Sequence, residues 1–221
     1  MVDTQILQFL TQLSVNNDKE WFATNKENYL KAKKSFDETT RQFITLIAGI
    51  DPSIGQPEVK DCTFRIYRDT RFSHNKEPYK TNMGCYVTRG GKKSPFAGYY
   101  LHLEPGKSFA AGGVYMPESN ILSAVRTEIL NFIDEFKSII ENSTFKNTFG
   151  EIDGAKLKSA PKGFDKNLKF IELLKFKSYT VAHHLSDQEL TSSDLPNKLN
   201  SIFSAMKPFN QFINRAIEEI L

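Results

Sequence analysis

Apolar residues recur with helical spacing at both ends of the chain and with strand-like spacing in its middle. Asp3 precedes Ile6, Leu7, Phe9, Leu10 and Leu13, which form one face of a short helix capped by the aspartate and ending near Asn16-Asn17. Asp18 is placed to cap a second helix carrying Trp21, Phe22, Asn25 and Tyr29. A third, from about Ser35, carries Phe36, Phe43, Ile44 and Ile47 until Gly49 and Asp51-Pro52 stop it. Trp21 is expected to be largely buried against Leu10 and Leu13 of the first helix.

From Cys62 the period changes. Residues 64–68 and 82–89 read as strands, and residues 98–104 and 107–116 as an antiparallel pair around Pro105-Gly106. Pro-Gly suits a type II turn, which matches strand twist poorly, so a longer or bulged connection is expected there. Gly112-Gly113 is expected to mark a bulge. Helical spacing returns between Ser119 and Ile140 with a bend near Asn131. Residues 144–168 read as irregular and residues 173–185 as a last strand. Ser193 or Asp194 is then expected to cap one helix, and Pro208 to open another carrying Phe209, Phe212, Ile213, Ala216, Ile217 and Ile220. The predicted class is α+β. A mainly antiparallel sheet, residues 62–116 plus a strand near 173–185, packs against N- and C-terminal helices.

Composition adds limits. With 39% hydrophobic residues and 18 Phe, the 221 residues can bury one sizeable core, so a single domain over 1–221 is expected. A net charge of +3 is too small for nucleic-acid or membrane binding by bulk charge, so any anion binding must be local. The first residues lack a basic stretch and cleavage site, and the longest apolar run, around FITLIAGI, is too short to cross a bilayer. A soluble cytoplasmic protein is expected. Cys62 and Cys85, 23 residues apart with no other Cys, read as reduced, buried and not metal-binding.

Candidate chemistry is concentrated in KDCTFRIYRDTRFSHNKEPYKTNMG, residues 60–84. Arg65, Arg68, Arg71, Lys76 and Lys80, with Lys60 ahead of them, face only Asp61, Asp69 and Glu77. Such an excess of donors suits a carboxylate or phosphate, and the arginine fork fixes its orientation. In an extended strand Phe64, Ile66, Arg68, Thr70 and Phe72 share the more apolar face, so Arg68 must be paired with a carboxylate, carbonyls or a ligand. Asp69 lies between Arg65 and Arg71 and can orient both. Residues 73–80 form the connecting loop, where Lys76, Tyr79 and Lys80 can reach the same anion, and Arg71 and Lys76 are expected to be at least partly exposed. The competing reading is an internal salt-bridge network under a solvated hairpin loop.

The arrangement resembles the bacterial proteins of domain-of-unknown-function family 2461. Their arginine-rich signature stands here as Arg65, Arg68, Asp69, Arg71, Phe72, Asn75, Lys76 and Tyr79. The likeness continues through Asn16-Asn17 with Lys19-Glu20-Trp21-Phe22, Gly98-Tyr99-Tyr100, Gly112-Gly113 with Met116-Pro117, residues 160–164, and Lys207-Pro208-Phe209. The resemblance implies no activity, since the family is named for having none assigned.

Elsewhere the signals are weak. His74, His102, His183 and His184 lack metal-ligand spacing, Lys162-Gly163 lacks the phosphate-loop pattern, and no Ser or Cys stands in a nucleophile motif. No metal or cofactor is expected. The favoured function is an anion-binding module at Arg65, Arg68, Asp69, Arg71, Lys76, Tyr79 and Lys80. Its ligand is an anionic small molecule or nucleic acid, with Tyr67, Tyr79 and Tyr100 available for stacking. The alternative is an enzyme acting on a phosphate or carboxylate compound at the same basic site, with Asp69 or His102 moving a proton.

Overall fold

The computed structural model describes residues 2–71 and 74–221. Three helices open the chain: α1 (Thr4–Val15), α2 (Lys19–Thr24) and α3 (Lys26–Ile50). The Asp3 and Asp18 carboxylates cap α1 and α2 as expected, accepting from the Gln5 and Trp21 amides. The third helix begins nine residues before Ser35, so Tyr29 belongs to it and not to α2. No breaker separates Lys26 from Ser35, and one stripe of Ala32, Phe36, Phe43, Ile44 and Ile47 is buried along its length. Trp21 is only partly buried, 6.1 Å from the Phe9 ring, while neighbouring Phe22 enters the core.

After a 3-10 turn (Pro52–Ile54) and α4 (Val59–Cys62), the strands β1 (Met83–Val87), β2 (Gly98–Leu103), β3 (Ser108–Val114) and β4 (Tyr179–Leu185) form one antiparallel sheet in the order β1-β2-β3-β4. The fold is therefore α+β. Only residues 104–107 join β2 to β3, closed by a Lys107 amide to Glu104 carbonyl bond with Gly106 at φ 71°, as a type II turn requires. Gly112-Gly113 is no bulge: both residues pair in register with Val181 and Thr180 of β4.

Between β3 and β4 lie α5 (Ser119–Asn131), α6 (Ile133–Ile140), α7 (Ser143–Phe149) and the single turn α8 (Ile171–Leu174). After β4 come α9 (Asp187–Thr191) and α10 (Leu195–Glu218). The expected bend falls at Phe132, between α5 and α6. Residues 143–149, read from sequence as irregular, are helical because Asn142 caps them and Phe145 packs on Phe209. β4 is shorter than expected, since residues 171–174 coil. Pro208 lies inside α10 and opens no helix. Pro208 and Ser204, the residue whose carbonyl loses its ladder bond, both face solvent, where water can satisfy that carbonyl. On the opposite side Phe203, Met206, Phe209 and Ile213 bury continuously.

Helices cover one face of the sheet. Tyr99, Leu101, Leu103, Ala110, Tyr179, Val181 and Leu185 point into that core, where each large apolar side chain contributes about 1.5–3 kcal/mol relative to exposure. Asn214 of α10 exchanges two hydrogen bonds with the backbone of Ala97, and Asn210 donates to the Gly98 carbonyl, tying the helix to the start of β2. The opposite face, with Tyr86, Tyr100, His102, Phe109, Ala111, Ala182 and His184, is half-buried to exposed. Among the described residues no helix is long and apolar enough to cross a membrane.

Candidate functional site

The basic segment is an irregular ribbon along the β1 edge. The expected regular strand is absent: only the bridges Thr63 to Cys85 and Tyr67 to Tyr79 form, with the Phe64 amide on the Gly84 carbonyl, Lys80 on Ile66 and Arg68 on Pro78. Pro78 has no amide to give, so the ladder is gapped, and Ile66 alone of residues 64–68 is buried. Phe72 and Ser73, expected on the strand face and in its loop, lie outside the described residues.

A clamp from the helices holds the ribbon. The Asn17 side chain donates to the Tyr79 carbonyl at 3.0 Å and accepts from the Tyr79 amide at 3.1 Å, while the Tyr79 ring stacks on Phe22 at 3.9 Å. Tyr79 is therefore buried, its ring packed against the helices. Sequence reading assigned Asn17 no part in the site, although it stands at the α1–α2 break and among the positions of the family likeness. Asn17→Ala should cost about 1–3 kcal/mol, because two backbone groups lose their partner, and should speed exchange of the Tyr79 amide. Urea unfolding with native-state hydrogen exchange checks both.

The cations divide into two sets. Arg71 is 77% exposed and pairs bidentately with Asp69, Nε to Oδ1 at 3.0 Å and Nη2 to Oδ2 at 2.7 Å. This pairing holds the Asp69 carboxyl far below the usual carboxylate range. Lys76, exposed, donates to the Thr70 carbonyl at 3.0 Å. Arg68 is half-buried and finds carbonyl oxygen: Nε and Nη2 reach the Tyr79 carbonyl at 3.3 and 3.2 Å, with Glu77 3.7 Å away. Glu77 is itself partly exposed, so Arg68→Ala should cost about 1–2 kcal/mol, the loss of hydrogen bonds and not of a buried ion pair.

Arg65 and Lys80 differ. Neither side chain makes a hydrogen bond or ion pair with a described residue. The half-buried Lys80 ammonium sits 5.8 Å from the Phe64 ring centroid, and its pKa is lowered, first by desolvation and then by the Arg65 and Arg68 charges. The Lys80 ammonium thus lies within the field of Arg65 and Arg68, an arrangement that can receive an anion.

Beside this ribbon the sheet face opposite the helices carries a half-buried hydrogen-bonded chain. Asn82 Nδ2 and the Tyr100 hydroxyl lie 3.1 and 2.9 Å from His102 Nδ1, so Nδ1 accepts and Nε2 directs its proton to Glu104 Oε2 at 3.2 Å. Thr81 donates to the other Glu104 oxygen, and the imidazole stacks on Phe109 at 4.5 Å. Desolvation lowers the His102 pKa against the opposing pull of Glu104. The unfolded chain protonates first, so this stability is present above about pH 6.5 and is lost as pH falls through the folded pKa. The melting temperature should fall between pH 7.5 and 5, and less so in His102→Gln.

Cys62 and Cys85 are free and buried, their thiols pushed up to about 11 and about 12 by burial. Among the described residues no group of three His, Cys, Asp or Glu is arranged to hold a metal ion. Two surface recesses between α1 and α3 share Gln5 and Lys31, the first also lined by Lys33 and Lys34, and neither is lined by a ribbon residue. In the first, Lys33 and Arg41 are already paired with Asp37 and Glu38 of the same helix.

The model of a conserved hypothetical protein, domain-of-unknown-function family 2461, matches residues 5–212, so the chain belongs to that family. No curated protein and no solved structure matches the chain.

Proposed function

We propose that this member of family 2461 is an anion-binding module in which Arg65 and Lys80, backed by Arg68, hold a phosphate- or carboxylate-bearing ligand. One observation carries the reading: the Lys80 side chain is half-buried, feels the charges of Arg65 and Arg68, and has no carboxylate partner among the described residues. Such a cluster is costly alone, and an anion offsets the cost. Arg71, Asp69 and Lys76 form the rim, and Tyr79 supports it from behind. The reading places residues 1–221 in one domain of a cytoplasmic bacterial protein, where a reducing compartment suits two free thiols.

Pyrophosphate titration by calorimetry tests the proposal. Wild type should bind, more weakly as salt is raised, while Lys80→Met and Arg65→Ala should lose most affinity without losing melting temperature. If both variants bind pyrophosphate as wild type does, the reading fails. The enzyme alternative draws on His102 beside the ribbon. Both imidazole nitrogens are already occupied, however, which favours a positioning role over proton transfer to a ligand.

A further inference from the structure

We infer that the anion held at the ribbon is the phosphate of a single-stranded nucleic acid, and that the partly exposed sheet face opposite the helices is the platform on which its bases stack. The inference rests on the anion-binding reading and adds the class of ligand. Phe64, 42% exposed, meets the Tyr100 ring at 6.3 Å; Tyr100 lies 5.7 Å from Phe109, and His102 stacks on Phe109. These rings form a strip running from the ribbon across β2 to β3. The Lys80 ammonium stands beside Phe64 at its near end, so a phosphate at Lys80 and Arg65 brings the attached base over Phe64 and Tyr100.

Charge decides the occupant. The near end offers the Arg65 and Lys80 side chains, unpaired among the described residues, whereas Glu104, beyond Tyr100 on the same face, is tied to His102 and Thr81. The rings are also set in advance. Tyr100 is fixed through its hydroxyl to His102, and its phenol lies over Gly84, where a methyl group would collide with it. A pre-ordered aromatic surface loses little side-chain freedom on binding. Stacking accepts any base that is not already paired, so a single strand fits and a duplex, whose base faces are covered by its own neighbours, does not.

The test is fluorescence polarisation at low salt with labelled oligothymidylate of about twelve nucleotides, an abasic strand with the same number of phosphates, and the corresponding duplex. Wild type should prefer oligothymidylate over both others by about fivefold or more. Phe64→Ala, folded by circular dichroism, should lose about fivefold or more for oligothymidylate while still binding pyrophosphate. Lys80→Met should weaken every ligand. Equal affinity for abasic strand and oligothymidylate, or an unaffected Phe64→Ala, would overturn the stacking inference and leave the anion reading standing. Failure to bind any of these ligands, pyrophosphate included, would remove both. Wild-type dimerisation in sedimentation that Phe64→Ala disrupts would assign the face to a second copy of the chain and also overturn the inference.

Discussion

Gly113→Ala is expected to prevent folding, or to destabilise by about 4 kcal/mol or more. Gly113 sits mid-sheet with φ 102°, a conformation closed to L side chains, and a methyl there would fall on the Tyr179 carbonyl of β4. Neither backbone can yield, because both pair in register along β3 and β4. Its neighbour Gly112 marks where Met206 of α10 meets the sheet, and a Cβ there would stand 2.6 Å from the Gly98 carbonyl oxygen. Gly49 provides the control. It lies exposed in the last turn of α3 with open space around it, so Gly49→Ala should stabilise by about 0.5–1 kcal/mol. Soluble yield, circular dichroism and urea melts of the two variants should move in opposite directions; equal effects would contradict this account of the sheet.

Arg215→Ala is expected to cost about 3 kcal/mol or more. Its guanidinium bonds Glu128 through Nε and clasps Glu135 through Nη1 and Nη2 at 3.1 and 2.7 Å, while stacking over Phe132 and Phe212. Glu128 is only 3% exposed, so removal of Arg215 strands a buried carboxylate between α5 and α10. Glu128→Gln in the Arg215→Ala background should recover a large part of the loss, because it removes the stranded charge and keeps the volume. A loss below about 1 kcal/mol would mean that the pair behaves as a surface ion pair, and the buried status of Glu128 would be wrong.

Local rules explain what the sequence made legible. The aspartate caps of α1 and α2 and the antiparallel strands through β3 follow from patterns within a few residues. The misread elements depend on distant partners. Pro208 is tolerated mid-helix because the ring and the freed carbonyl face water while Phe203 to Ile213 bury on the far side. Gly112-Gly113 signalled a bulge by its type, yet it is required by the approach of α10 and the Tyr179 backbone. At the site, Asp69 and Arg71 are two residues apart and their pairing could be anticipated. The course of the ribbon that carries the other cations could not, because Asn17, 62 residues from Tyr79, bonds its backbone to the helices.

The central claim concerns Lys80, and titration of its ε-methylene signal by carbon-13 NMR, assigned with Lys80→Met, tests it most directly. The account predicts that Lys80 titrates below the exposed lysines, since desolvation and the adjacent arginines disfavour its charge, and that pyrophosphate raises its pKa by supplying the missing counter-charge. A Lys80 that titrates with the exposed lysines and does not respond to pyrophosphate would contradict it.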